Sequence, residues 1–329
     1  MKDKTRGVSM LRALALAALA MTSMMPMAAQ AQGWPAKPVK IIVPYPPGGA
    51  VDAVTRKMAQ RLSEQTGQSF YVENKAGATG TIGTAQVARA APDGYTLLAN
   101  DTTYALLPHI FKTLPFDPAK DLQPVAAYVF APMGVVVKAD GKYKTLADLI
   151  AAAKSDDKVS YGSGGPGSTP HFASEALGLA AGTHFMHVPF KGAGEATVAL
   201  LSGTVDFQMA SIPGVIGQVK GNKLAVLAVS GTKRLPALAG VPTFAEAGVK
   251  DYGVINFTGL WAPKGTPADV LDRIQKEVGK AMASRDMQSY AESIGAEPGY
   301  WDAGAFRTEM TSRTAFWGKV ARGTGFQKQ

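Results

Sequence analysis

Two glycine-rich turns hold the residues of this sequence that are best suited to bind an anion. The first turn, residues 44–49, separates an apolar run at 39–43 from apolar residues spaced as in a helix, beginning at Ala50. The second turn, residues 162–169, separates a short strand-like segment from Pro170, a residue that suits the first turn of a helix. A turn between a strand and a helix leaves backbone N–H groups free at the positive end of the helix dipole. We therefore predict that each turn can bind an anionic group.

Glycines and hydroxyl groups make both turns suitable for close contact with a ligand. Gly48 and Gly49 carry no Cβ and let a ligand approach the backbone, while Ser163, Ser168 and Thr169 add donors. A hydrogen bond that involves a charged group contributes about 1.5 to 3 kcal/mol, so about three or four of them supply the roughly 8 kcal/mol of micromolar binding. If the two turns face each other, they form a cleft for a ligand with two polar or anionic ends.

Three further polar residues are candidates for ligand contact, each with an ordinary structural alternative. Thr102 belongs to a polar cluster at a predicted strand end, where open α/β sheets bind ligands and where the cluster could also cap the next helix. His171, one turn into the second helix, could reach a ligand or make ordinary hydrogen bonds. Asp206, in a strand predicted at 204–209, could contact the ligand or cap a neighbouring backbone group. The sequence leaves both interpretations open for all three residues.

The usual catalytic and cofactor motifs are missing or incomplete. The four histidines lack HExxH spacing, and the sequence contains neither a GxSxG elbow nor a P-loop. Gly162, Gly164 and Gly167 match GxGxxG, but the acid expected after the next strand, predicted at 184–190, is absent. We therefore expect no cofactor and no metal, and the absence of cysteine excludes thiolate sites. Two alternatives stay open: an exported α/β enzyme that acts on a carboxylate with His171 as base, and a secreted scaffold.

Charge and hydropathy predict a protein exported to the periplasm. Residues 1–31 combine basic residues, a short Leu- and Ala-rich run and small residues at 29–31, which is typical of a cleaved signal peptide; an uncleaved anchor is the alternative. No later apolar run reaches the roughly 18 residues of a membrane helix. The net charge of +9 comes from basic residues scattered along the chain, so it suits an anionic ligand and gives no stripe typical of nucleic-acid binding.

Strand and helix patterns alternate along most of the chain, which predicts an α/β fold. The length favours two domains. The apolar segment 125–137 is long enough to pass from one domain into the other, and 252–261 is predicted as the return crossing. A helix is predicted at 268–282 with Thr266 as its N-cap, and the residues after 285 are predicted as helices that pack on the first domain.

Several short motifs extend over the whole predicted mature chain. They are Val-Pro-Tyr-Pro-Pro-Gly-Gly at 43–49 with Asp52 and Arg56, Glu-Asn-Lys at 73–75 with Gly77 and Gly80, Ala-Pro-Asp-Gly-Tyr-Thr at 91–96, Leu-Pro-Phe-Asp at 114–117, the second turn with His171, Val-Pro-Phe-Lys-Gly at 188–192, and Ala-Pro at 262–263 with Gly-Thr-Pro at 265–267. In this order they resemble the receptors of tripartite tricarboxylate transporters, the Bug family of periplasmic solute-binding proteins.

The resemblance implies an α/β, two-domain periplasmic-binding-protein fold of type II, the Venus flytrap, with strands that cross between the domains. The first domain would comprise residues 32–131 and 255–329, and the second residues 132–254. The implied function is capture of a small carboxylate, a di- or tricarboxylic or aromatic acid, for membrane transporter subunits or a sensor. The receptor would be a monomer that binds no nucleic acid.

The resemblance also implies which residues bind the ligand. Backbone amides of the two turns would hold a carboxylate, often through bridging waters, and a small hydroxyl residue would stand at the end of a neighbouring strand. Carried onto this sequence, the set is Tyr45, Pro47, Gly48, Gly49, Ala50 and Asp52 at the first turn, Thr102 at the strand end, and Ser163, Gly164, Ser168, Thr169 and His171 at the second turn. Ala50 replaces a frequent third glycine, and Phe257 lies near a place where relatives often have tryptophan, so the resemblance does not identify the acid.

Overall fold

A mixed sheet of ten strands organises the part of the chain that the structure describes. The computed structural model describes residues 33–155, 158–250, 252 and 254–329, so the predicted signal peptide at 1–31 lies outside the described residues. The strands are β1 (Val39–Val43), β2 (Phe70–Asn74), β3 (Thr96–Asn100), β4 (Leu122–Lys138), β5 (Ser160–Ser163), β6 (Met186–Pro189), β7 (Phe207–Ser211), β8 (Leu224–Val229), β9 (Ile255–Pro263) and β10 (Glu297–Trp301).

Helices follow most of the strands, which confirms the predicted α/β class. They are α1 (Ala50–Thr66), α2 (Thr81–Ala88), α3 (Thr103–Ile110), α4 (Leu146–Ser155), α5 (Thr169–Ala181), α6 (Ala193–Ser202), α7 (Ile212–Lys220), α8 (Ala268–Met282), α9 (Arg285–Ser293) and α10 (Ala303–Gly323). Among the described residues, no helix combines the length and the apolar character needed to cross a membrane.

The long strand β4 joins two halves of the sheet. Its first part pairs antiparallel with β9, as far as Pro132 opposite Ile255, and also with β10. From Met133, opposite Ser211, it pairs with β7 and β8 instead. We call β1, β2, β3, β9, β10 and the first part of β4 the first half-sheet, and β5 to β8 with the rest of β4 the second half-sheet. The predicted crossing segment therefore exists as one continuous strand.

Strand direction brings the carboxyl ends of both half-sheets toward their junction. Strand β1 is parallel to β3, and β3 runs antiparallel to β9 toward its amino end, with the last residue of β3, Asn100, opposite Gly259 in the middle of β9. Strand β5 is parallel to β7, which ends opposite Met133 of β4. Because both turns follow the carboxyl ends of these strands, the topology directs them toward the same junction, where open α/β sheets bind ligands.

The structure corrects two of the predictions for the chain after residue 262. Thr266 is not the N-cap of α8: Pro267 is, and the Thr266 hydroxyl donates to the Pro263 carbonyl instead. The predicted helical region after residue 285 contains strand β10, which pairs with β4. This strand was missed because its sequence, Glu-Pro-Gly-Tyr-Trp, reads as a turn.

Candidate ligand-binding site

The first turn links β1 to α1, and a carboxylate from the helix supports it from inside. Gly48 adopts a positive φ of 83°, and its N–H donates to Asp52 Oδ2 at 2.9 Å. Asn74 Nδ2 and the Arg56 guanidinium also donate to Asp52. Burial alone would raise the pKa of Asp52, but the hydrogen bonds from Arg56, Gly48 and Asn74 outweigh it and hold the pKa below its usual value. Asp52 therefore shapes the turn rather than presenting its charge to a ligand.

The rest of the first turn is open to contact. Pro47, Gly48 and Gly49 are exposed, and Ala50 is half-buried. Gly49 is the N-cap of α1, so the first amides of this 17-residue helix have no carbonyl partner within it. The turn therefore presents backbone N–H groups at the start of α1, and their binding of an anion stays a prediction.

Tyr45 points from the first turn to the carboxyl end of β3. Its hydroxyl lies 2.7 Å from Asn100 Oδ1 and 2.9 Å from Asp101 Oδ1, and its carbonyl accepts from Asn74. Burial, with the Asp101 carboxylate beside it, raises the pKa of Tyr45 well above its usual value. The phenol therefore stays protonated and holds the turn against the neighbouring strand.

Thr102 ties the end of β3 to the start of β9. It is fully buried; its N–H donates to Asn256 Oδ1 at 3.1 Å, and its hydroxyl donates to the Ile255 carbonyl at 3.2 Å. The capping role that the sequence left open belongs to Asp101, which accepts from the Thr103 N–H at 2.9 Å. Thr102 thus fastens the returning strand at the junction of the half-sheets.

The second turn links β5 to α5 and is held by its own hydroxyl groups. Ser168 is the N-cap of α5, and its hydroxyl donates to the Gly165 carbonyl at 2.8 Å. Ser163 Oγ accepts from the Gly165 N–H at 3.1 Å. Gly164 is half-buried, and a Cβ on it would lie 3.1 Å from the Ala193 nitrogen at the start of α6. The turn is therefore compact, with little room for a side chain at Gly164.

A stacked pair of histidines lies beneath the second turn. The rings of His171 and His187 are 4.1 Å apart, His171 Nδ1 accepts from the Gly167 N–H at 3.1 Å, and His187 Nε2 lies 2.6 Å from Ser163 Oγ. Burial, together with the neighbouring His187, lowers the pKa of His171 to about 3, and burial lowers that of His187 to about 4. Both rings are neutral near pH 7, so they position the turn, and His171 is a poor proton acceptor for catalysis.

His187 was missed in the sequence interpretation, which grouped it with His184 on one strand. His184 lies outside β6, whereas His187 pairs in register with Tyr161 of β5 and stacks on its ring at 4.9 Å. Ser163 lies two residues beyond Tyr161 on β5, so its side chain is on the same face of the sheet as His187, and this register could have indicated their contact.

Direct contacts join the second turn to the first half-sheet. Thr103 Oγ1 and Thr169 Oγ1 are 2.9 Å apart, and both side chains are buried. Gly167 packs so closely on α3 that a Cβ there would lie 2.6 Å from Ile110 Cγ2. With Tyr45 bonded to Asp101 and Asp101 to Thr103, a chain of hydrogen bonds runs from the first turn to the start of α5.

Asp206 lies away from this network, and the structure favours its capping role. It precedes β7, accepts from the Ser160 N–H and hydroxyl at 2.9 Å each, and pairs with Lys142 at 3.1 Å. Ser160 begins β5 and Ser163 ends it, so Asp206 is about 10 Å from the second turn. The predicted strand at 204–209 begins only at Phe207, which leaves Asp206 at its amino end. Among the described residues, no cluster of acidic or histidine side chains could hold a metal ion.

Comparisons with known proteins agree with this geometry. The family model described as "Tripartite tricarboxylate transporter family receptor" matches residues 54–325. The chain is 34% identical over 311 residues to the UPF0065 protein in the tcbD-tcbE intergenic region of Pseudomonas sp. (strain P51), covering 94% of this chain and 93% of that protein. Among solved structures, the periplasmic binding protein BugD is 31% identical with a TM-score of 0.80, covering 90% of this chain and 100% of that one. The R. palustris protein Rpa4515, solved with adipate, is 31% identical with a TM-score of 0.83 and the same coverage.

Proposed function

Because this chain belongs to the family of tripartite tricarboxylate transporter receptors, we propose that it is a periplasmic receptor for a small carboxylic acid. The receptor closes on a di- or tricarboxylic or aromatic acid and delivers it to membrane subunits of such a transporter or to a sensor. The family and its solved structures are receptors for solutes, which leaves the exported-enzyme alternative without support.

The hydrogen bond between Thr103 and Thr169 is the observation that supports this proposal most strongly. It joins the start of α3, on the first half-sheet, to the start of α5, on the second. The first turn reaches this contact through Tyr45, whose hydroxyl lies 2.9 Å from Asp101, and Asp101 accepts from the Thr103 N–H. This network supports the proposal that both turns border one junction, to which helix starts contribute backbone N–H groups and positive dipole ends. A carboxylate is the kind of group that such an arrangement binds, and the similar R. palustris protein was solved with adipate, a dicarboxylate.

We assign the ligand-binding groups accordingly. Backbone N–H groups at Gly49 and Ala50 of the first turn, and at Gly164 and Thr169 of the second, contact the carboxylates. Four nearby residues position these groups without contacting the ligand, since their polar atoms form hydrogen bonds to other residues of the protein. They are Tyr45, Asp52, Thr102 and His171. The two lobes of the receptor are residues 32–131 with 255–329, and residues 132–254, and they close about β4 and β9.

Titration calorimetry tests the proposal with the mature chain. The panel contains succinate, malate, adipate, citrate and benzoate, and 1,6-diaminohexane serves as a control with the length of adipate and the opposite charge. We expect at least one acid to bind with micromolar or tighter affinity and the diamine not to bind. If the folded protein bound none of the acids, the receptor assignment would be refuted.

A further inference from the structure

One buried hydroxyl at the junction of the half-sheets has no hydrogen-bond partner among the residues that the structure describes. The Oγ of Ser211 is shielded from solvent, although the residue as a whole is half-buried. Ser211 ends β7 and is the N-cap of α7, yet within the described chain its side chain forms no capping bond. Buried polar groups are nearly always hydrogen-bonded, so this hydroxyl calls for a partner from outside the fold.

The strand register places Ser211 at the height of the second turn. In the parallel pairing of β5 with β7, Gly162 lies opposite Gln208. Continued by one residue, this register sets Ser163 level with Met209, and Ser211 lies two residues further toward the turn. Because side chains alternate along a strand, Ser211 is on the same sheet face as Ser163.

The long strand β4 places Ser211 beside the polar residues of the first half-sheet as well. Its adjacent residues Pro132 and Met133 pair with Ile255 and with Ser211, respectively. The Ile255 carbonyl in turn accepts from the Thr102 hydroxyl at 3.2 Å. Ser211 therefore lies where the two half-sheets meet, between the second turn and the end of β3.

We propose that the Ser211 hydroxyl is a further ligand-binding group, which donates to the end of the ligand held at the second turn. This inference rests on the proposed carboxylate binding. It narrows the ligand to acids that carry a hydrogen-bond acceptor at each end, such as dicarboxylates, with one acceptor held at the second turn beside Ser211. A hydroxyl donor from the rigid end of a strand discriminates between such an acid and a monocarboxylate of the same length, because the unpartnered hydroxyl stays buried when the acceptor is missing.

Ser211→Ala tests the inference, and Ser230→Ala is its matched control. Ser211 ends β7, Ser230 follows β8, and both lie beside Met133 of β4. Ser230 Oγ, however, accepts from the Met133 N–H at 2.8 Å. Removing the Ser230 hydroxyl leaves that N–H unpaired, so Ser230→Ala is expected to lower the urea midpoint of the ligand-free protein. Ser211→Ala removes no bond within the described fold and is expected to leave this midpoint unchanged or to raise it.

Affinities are measured by calorimetry for linear dicarboxylates from succinate to adipate, for malate, and for hexanoate and benzoate. We expect wild type to bind one of the dicarboxylates, and Ser211→Ala to bind it at least about tenfold more weakly with an unchanged urea midpoint. Three results would overturn the Ser211 inference while leaving the receptor assignment in place. They are an unchanged affinity in Ser211→Ala, a loss of affinity matched by a lower urea midpoint, and binding of monocarboxylates alone by wild type. If wild type bound no acid at all, both would be overturned.

Discussion

Replacing Gly167 by alanine should hinder closure of the two lobes without disrupting either of them. Gly167 has a positive φ of 81°, and a Cβ there would lie 2.6 Å from Ile110 Cγ2 and 3.1 Å from its Cγ1 and Cδ1. Ile110 is fully buried on α3, and its branched side chain has one strongly preferred χ1 rotamer in a helix, so it cannot swing away. Overpacking of this kind costs about 1 to 3 kcal/mol.

In the two-lobe arrangement proposed above, Gly167 and Ile110 belong to different lobes, so we expect that cost to fall on the closed form. We expect the affinity for the tightest-binding acid of the panel to fall about fivefold to a hundredfold in Gly167→Ala. Gly182→Ala is the control: its φ is also positive, at 65°, but a Cβ there would meet no atom within 4 Å. Both variants carry the strain of a left-handed alanine, and only one carries the clash.

Calorimetry on both variants and on the double variant Gly167→Ala, Ile110→Ala separates these effects. Ile110→Ala removes the clashing atoms, so it should restore part of the affinity lost in Gly167→Ala, although it lowers the stability of the first lobe. The reasoning would be wrong if Gly167→Ala and Gly182→Ala bound the acid equally well, or if Ile110→Ala brought no recovery.

Two further predictions concern the first turn and the histidine pair. Gly49→Val should weaken acid binding about tenfold or more, because the valine side chain blocks the approach of the ligand to the backbone. The fold itself accepts the side chain, since Gly49 has an ordinary φ of −73° and a Cβ there meets only the Pro46 carbonyl at 3.7 Å. Calorimetry on Lys191→Ala, a change at an exposed residue, is the control, and equal losses of affinity in the two variants would contradict the prediction. Burial holds the pKa of His171 near 3 in the folded protein, against 6.5 in the unfolded chain. As the pH falls below 6.5, the unfolded chain binds a proton at this residue and the folded protein does not, so the free energy of unfolding decreases. Lowering the pH from 7 to 5 should therefore cost wild type about 2 kcal/mol more stability than His171→Gln, measured by urea unfolding. Equal pH dependence in the two proteins would refute the buried neutral ring.

Periodicity predicted the elements that carry the site, because each is a local pattern. The strand at Val39–Val43, the helix that begins at Ala50, and a helix with Pro170 in its first turn were all predicted correctly. The resemblance to a known family supplied a prediction that local patterns cannot give, namely that two distant turns bind one ligand. The contact between Thr103 and Thr169 depends on the pairing of β4 with both β9 and β7, which no local pattern encodes.

Side-chain roles were the part that sequence reasoning could not settle. Asp52 and Thr102 look like ligand contacts in a motif, but their partners are the Gly48 N–H and the Ile255 carbonyl, and only tertiary geometry decides between a ligand and an internal partner. His187 and Ser211 carry no motif at all. Each becomes visible through register, one beside Ser163 and the other level with the second turn.

The separation between backbone groups that bind the carboxylate and side chains that position the turns suggests how one fold could serve receptors for different acids. Backbone N–H groups at the starts of α1 and α5 would bind a carboxylate whatever side chains surround them, so they supply affinity for the class and little choice within it. Four side chains form hydrogen bonds within the protein that position the turns and the strand ends beside them, and replacing any of them would remove those bonds. They are Tyr45, Asp52, Thr102 and His171. Selection among acids is therefore expected to fall on residues that border the cleft and leave the turns intact when changed. Ser211, whose hydroxyl supports no bond within the described residues, meets that condition.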